Sequence, residues 1–254
     1  MPTYSVFIHS TGTTPALWAG VPPAILGDSL PWFPPNLGYP PLPLVPRGVK
    51  LTGDDDARHL AATLPPDATA VRIFGHSYGG LVALKLAKLL TIPVESLFLL
   101  EPVLFGALRR ALDRYPEARE EVDIFTRTPV FLSDIDGGTA PWLEMFIDYW
   151  NRPGSWARMP AEMQQAQLAY GWKMYQEVRS VYEDSADFAD WRMPMPLTIA
   201  WGEKTTLSAK AMARALLAEN PHARALHLPG LNHMAIALKP QLVFAAMLAA
   251  QASG

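Results

Sequence analysis

Residues 74–80 read "FGHSYGG", a serine set among glycines between the apolar run "ATAVRIF" and the amphipathic run "LVALKLAKLL". The first run is β-branched and reads as a buried strand. In the second, Leu81, Leu84 and Ala87 share one helical face, Lys85 and Lys88 another, and "TIP" ends the helix near Thr91. Gly75-His76-Ser77-Tyr78-Gly79 thus fits G-x-S-x-G, with the strand before it and the helix after it that the motif requires. The glycines follow from crowding: so sharp a turn strains the serine backbone, and side chains beside it would collide. Gly80 gives the helix room to lie close to the sheet. An ordinary tight turn could carry the same letters, but with these flanks Ser77 is a candidate nucleophile.

Outward from this turn, Tyr4 to Ile8 reads as a short buried strand ending in the turn cluster "HSTGTTP". Nine prolines between Pro22 and Pro46 forbid a long helix and leave at most one short strand. Thr52 opens a helix with Asp55 three residues on, a capping-box pair, and the helix runs to about Leu64. "ESLFLLEP" follows the serine's helix as a continuous apolar strand. Between about Val103 and Trp191 the pattern becomes helical, as in Met163, Ala166, Tyr170, Met174, Val178 and Val181, and this stretch holds five of the eight tryptophans. Alternation then resumes with "PLTIAWG", a helix from about Ser208 to Glu219, the strand "ARALHLP" and a final helix from near Met234. We read an α/β chain with a mostly parallel sheet covered on both faces, residues 1–102 and 192–254 forming the core and 103–191 a helical cap.

Composition narrows the partners. Half of the 254 residues are hydrophobic, only 18% are charged and the formal net charge is -3, which suits a large core and gives no pull toward nucleic acid. There is no cysteine, so disulfides and thiol chemistry are excluded. "MPTYSVFIHS" shows no basic region followed by a long apolar core, and no run of about 18 apolar residues occurs, so a cytoplasmic protein without a membrane span is expected.

A nucleophilic serine needs donors for the oxyanion it creates. One is the Tyr78 backbone N–H at the helix start; the other must come from a neighbouring loop, where "HSTGTTPALW" is placed. It also needs a base late in the chain, and "LPGLNHMAI" offers His233 on a loop before the last helix. His59 falls within a helix, His222 and His227 lack a comparable loop, and His76 belongs to the turn.

These features resemble the α/β-hydrolase superfamily. The strand ending in His9, the small-residue turn and Trp18 look like its His-Gly loop, the turn at Ser77 like its nucleophile elbow, and Gly230 to His233 like its last motif, G-x-x-H followed by a helix. The resemblance implies a serine hydrolase without cofactor or metal, with Thr11 as the second oxyanion donor, His9 structural, and the N-terminal strands of the full fold absent. Ser10 stands where the family usually has glycine.

The acid departs from the family's pattern. Its usual place, in the loop after the strand matching "PLTIAWG", holds Thr205, and a neutral hydroxyl cannot stabilise an imidazolium as a carboxylate does. Glu203, Asp190 and Glu101 are the candidates. Glu101 directly follows "SLFLL", whose strand neighbours the elbow strand through a right-handed crossover, and some members of the superfamily, haloalkane dehalogenases among them, carry their acid there. We take Glu101. The substrate expected is a small to medium hydrophobic ester, lined by Ser10, Trp18, Trp142, Phe146, Trp150 and Trp172. The short N-terminus also resembles plant methylesterases and hydroxynitrile lyases, but those lyases carry lysine after the catalytic histidine, where this chain has Met234. Thioester, lactone or C–C bond cleavage on the same scaffold, or ligand binding with little activity, are the alternatives.

Overall fold

Alternation along the strands sorts the interior into two layers. A computed structural model describes residues 2–252. Its strands are β1 (Thr3–Ile8), β2 (Leu30–Trp32), β3 (Ala70–His76), β4 (Val94–Leu100), β5 (Leu197–Gly202) and β6 (Arg224–Leu228). They form one sheet in the order β2-β1-β3-β4-β5-β6, every neighbouring pair parallel. The helices are α1 (Pro23–Leu26), α2 (Gly53–Thr63), α3 (Tyr78–Leu89), α4 (Phe105–Arg110), α5 (Arg119–Arg127), α6 (Ala140–Trp150), α7 (Ala161–Glu183), α8 (Leu207–Glu219), α9 (Ala235–Leu238) and α10 (Pro240–Ala252).

Because strand side chains alternate between faces, Val6, Ile8, Ile73, Leu97, Leu99 and Ile199 point to one side, where they meet α2, α3, α4 and α8. Phe7, Phe74, Phe98 and Ala200 point to the other, against Trp18, Ile25 and the α10 residues Val243, Phe244 and Met247. Register places Phe7, Phe74 and Phe98 side by side on three adjacent strands. The Phe7 and Phe74 rings stack at 4.6 Å, and Phe98 lies 5.9 Å beyond. The proline-rich stretch yields the single short strand β2. The last helix begins later than expected: α9 is one turn, and Pro240, which has no N–H to donate and whose ring would strike the preceding turn, starts α10 afresh.

This strand order places the site. β1 lies between β2 and β3, so the connection after β1 leaves in one direction and that after β3 in the other, opening a crevice at their carboxyl ends. The loops after β1, β3, β4 and β6 converge there, and four helices, α4 to α7, lie between β4 and β5 in the chain.

Removing the middle ring of the ladder should show how far the second layer depends on it. Phe74→Ala is expected to lower unfolding free energy by about 3 to 5 kcal/mol in a urea titration, with an unchanged m value.

Candidate active site

Ser77 sits at φ 55°, ψ −120°, a costly conformation for a residue with a side chain. Three backbone bonds hold it there: Ser77 N–H donates to Leu100 O (3.0 Å), while the Gly80 and Val103 amides donate to Ser77 O (2.8 and 3.2 Å). A Cβ on Gly75 would lie 2.3 Å from Gly79 O, and one on Gly79 2.5 Å from Ile8 O, so backbone approach demands glycine at both. The hydroxyl is thus presented at the N-terminus of α3.

Glu101 repeats the device one strand over. Among the described residues, it and Ser77 are the two non-glycine positions with positive φ, 46° and 55°. His76 and Leu100 are register partners, so the residues that follow them stand beside one another. Glu101 N–H donates to Ala200 O at 2.8 Å, extending the sheet past the end of β4.

His233, on the loop between β6 and α9, joins the two. Its Nε2 lies 2.9 Å from Ser77 Oγ and its Nδ1 2.7 Å from Glu101 Oε2. All three residues are buried. A hydroxyl can only donate to an unprotonated Nε2, so the neutral ring carries its proton on Nδ1, and that N–H donates a hydrogen bond to the carboxylate. Glu101 accepts two more bonds, from Gly202 N–H to Oε1 (2.8 Å) and from the Thr205 hydroxyl to Oε2 (2.5 Å). Thr205, in the family's usual acid position, therefore serves as a donor to the relocated carboxylate. The other candidates lie apart: Glu203 accepts from Gly230 N–H at the surface, and Asp190 caps the turn at Asp187.

Neighbouring groups hold the imidazole in place. The Trp150 ring stacks on it at 3.7 Å, and His76 Nε2–H donates to His233 O at 3.0 Å. Burial and the nearby His233 press His76 well below the usual histidine range, leaving it neutral. His9, also fully buried, is pushed down to about 4, chiefly by desolvation. Its Nδ1–H donates to Ser10 O (3.0 Å) and its Nε2 accepts from Asn36 N–H (3.0 Å), so this neutral ring fixes the loop after β1.

A cavity of about 30 Å³ adjoins Ser77, enough for a water molecule or two. Thr11 lines it, with Phe105, Phe125, Phe146, Tyr149, Trp150 and Tyr182 among its aromatic walls. Of the residues expected around substrate, Phe146 and Trp150 are there. Ser10, Trp18, Trp142 and Trp172 are not among its lining residues: Ser10 bonds Thr13, and the three indoles donate to Ile8 O, Phe131 O and Val49 O within packed layers. Phe105, Phe125 and Tyr182 were not foreseen, because only the folding of α4, α5 and α7 over the crevice brings them together. Tyr149 fixes part of that arrangement, its hydroxyl lying 2.5 Å from Ser208 Oγ and 3.2 Å from Glu121 Oε2.

A sequence profile of the alpha/beta hydrolase family matches residues 6–246. The chain belongs to that family. Solved structures show the same fold at low sequence identity. A hydrolase from Pseudomonas aeruginosa PA01 superposes with a TM-score of 0.69 and 18% identity, over 98% of this chain and 89% of that one. The enol-lactonase from Burkholderia xenovorans LB400 gives 0.67 and 16%, over 98% and 90%. An alpha/beta hydrolase fold protein from Burkholderia ambifaria gives 0.66 and 19%, over 98% and 90%. No curated protein matches the sequence. Among the described residues no group of three or more His, Cys, Asp or Glu side chains could hold a metal ion, and no helix is long and apolar enough to cross a membrane.

The neutral His9 makes stability depend on pH. Its folded pKa, about 4, is below the unfolded 6.5, so the unfolded chain binds the extra proton and stability drains away as pH falls from about 6.5 to 4. The full effect is roughly 3 kcal/mol. Other groups titrate in the same window, so the contribution is isolated as a difference. The stability margin of wild type over His9→Gln should shrink by that order between pH 7 and 4 in urea titrations; a constant margin would contradict the assignment.

Proposed function

We propose that this protein is a serine hydrolase that cleaves carboxylic esters of small to medium hydrophobic substrates through an acyl-enzyme, without a cofactor. The observation that carries this reading is the unbroken relay Ser77 Oγ, His233 Nε2, His233 Nδ1, Glu101 Oε2, at 2.9 and 2.7 Å and buried throughout.

In this reading, Ser77 Oγ attacks the ester carbonyl as its proton passes to His233 Nε2. The imidazolium formed lies against the Glu101 carboxylate, whose oxygens Gly202 N–H and the Thr205 hydroxyl hold in position. The carbonyl oxygen becomes an oxyanion, received by the Tyr78 N–H at the positive end of α3 and by the Thr11 N–H of the loop after β1. Collapse breaks the C–O bond, and the leaving alkoxide takes the proton from His233 to depart as an alcohol. A water, deprotonated by the same nitrogen, then adds to the acyl-serine; the carboxylic acid leaves and Ser77 regains its proton.

Residues 103–191 act as the cap, and their aromatic side chains favour an apolar acyl or alkyl group. The cavity beside Ser77, walled by Phe146 and Trp150, receives the acyl or alkyl group. With its net charge of -3, the protein acts on small dissolved molecules rather than nucleic acid, and we place it in the cytoplasm.

A fluorophosphonate should label Ser77 stoichiometrically, and p-nitrophenyl esters of increasing chain length should give kcat/KM values that peak at short to medium acyl groups. A folded protein that takes up no label would instead be a ligand binder on this scaffold.

A further inference from the structure

Beyond the buried histidines, two carboxylates and an amine outside the relay are shut away from water: Asp56 on α2, and Lys173 and Glu177 on α7. Lys173 Nζ lies 2.5 Å from Asp56 Oδ2 and 3.3 Å from Glu177 Oε1. Burying such charges is costly, and apolar side chains of similar volume would serve stability as well or better. Stability therefore does not account for the cluster. Its contacts do suggest a purpose, because they run to both sides of the crevice at Ser77.

On one side, the Tyr78 hydroxyl donates to Asp56 Oδ2 at 2.5 Å. Tyr78 is the residue whose backbone N–H opens α3 behind the serine. On the other side, Glu177 meets the loop after β1. Its Oε2 accepts from the Tyr39 hydroxyl at 3.1 Å, and that hydroxyl in turn accepts from Gly12 N–H at 2.9 Å. Thr11 favours the ionised form of the same carboxylate. The same helix holds Gly12 O through Gln167 Nε2 at 2.9 Å. Asp56 Oδ1 accepts from Leu37 N–H at 2.8 Å, tying in the loop that carries Tyr39.

We infer that Asp56, Lys173 and Glu177 are positioning residues for the oxyanion site, clamping the Tyr78 amide and the loop that carries the Thr11 amide at a fixed separation through the Tyr78 and Tyr39 hydroxyls. The inference rests on the serine-hydrolase reading above. An oxyanion site works when its donors are already aimed where charge develops, so a shift of a few tenths of an ångström lowers turnover more than substrate binding.

The cluster also bears on the charge of the site. Two carboxylates and one ammonium leave one negative charge when all are ionised, beside the point where the oxyanion forms. Burial raises Glu177 to about 7, with Asp56 adding to the rise, while Lys173, Thr11 and Tyr39 work against it. The charged and titratable groups around it are Lys173 on its own helix, Asp56 on α2, Tyr78 on α3, Tyr39 after β2, and His9 after β1, which feels both Asp56 and Lys173. Burial presses on Lys173, but Asp56 and Glu177 together outweigh it and hold its ammonium above the usual lysine range. As pH rises through about 7, Glu177 gains a negative charge that opposes the oxyanion, and kcat falls.

The test uses p-nitrophenyl butyrate, with kcat expressed per Ser77 titrated by fluorophosphonate. Tyr78→Phe keeps the backbone donor and removes one hydroxyl; it should lower kcat roughly tenfold with KM within about twofold. Glu177→Ala should do the same. Glu177→Gln, which keeps the shape and hydrogen-bonding oxygen, should recover most of the lost kcat at about pH 6 and remove the decline that wild type shows toward about pH 8. Wild-type kcat per titrated site in both Tyr78→Phe and Glu177→Ala, with losses confined to melting temperature, would overturn the inference while leaving the hydrolase reading intact. So would a wild-type pH profile in Glu177→Gln. A wild-type protein that takes no label would overturn the hydrolase reading and this inference with it.

Discussion

The bond between Glu101 Oε2 and His233 Nδ1 joins the last loop of the chain to the end of a central strand, and the rest of the site is arranged around it. A carboxylate this deeply buried needs hydrogen-bond donors on both oxygens, and the ring N–H, Gly202 N–H and the Thr205 hydroxyl supply them. To reach them, the chain turns through positive φ at Glu101, one strand away from the same turn at Ser77. Each unfavourable backbone conformation is fixed by amide bonds to the neighbouring strand, so the sheet itself sets the separation between nucleophile and acid.

Two polar systems flank the serine and divide the chemistry between them. In the proposed reaction the loops after β4, β5 and β6 serve proton transfer, while the loop after β1 and the start of α3 offer the oxyanion donors, backed by His9 and the Asp56, Lys173 and Glu177 cluster. The strand order makes this division possible, because the chain reverses its direction of travel across the sheet between β1 and β3. Trp150 meets the proton-transfer side directly by stacking on His233, and α7 meets the oxyanion side through Gln167 and Glu177. The helices between β4 and β5 thus contact both halves of the site as well as roofing it.

Much of this was legible beforehand where local pattern and chemistry coincide. The strands and the flanks of Ser77 follow from apolar runs and turn residues, and the Thr52 and Asp55 capping box lies where their spacing places it. Ser77, His233 and Glu101 could be singled out from motif, loop position and chain order, and the structure brings their side chains into hydrogen-bonding contact. Thr205 read only as a missing carboxylate, since its role depends on a residue about a hundred positions earlier folding against it. Lys173 and Glu177 gave no signal, because the apolar stripe of α7 left them on its polar side; the helix is in fact buried all round from Gly171 to Glu177. Trp142 and Trp172 could not be told from pocket residues by type alone, as an indole filling a packed layer and one facing a cavity have the same spacing.

The most direct test of the account is to move the acid back. Glu101→Gln should reduce ester turnover by about two to four orders of magnitude, and adding Thr205→Asp to that variant should restore at least about tenfold by offering His233 a carboxylate from the next loop. Turnover in Glu101→Gln within a fewfold of wild type would contradict the assignment of Glu101 as the partner of His233.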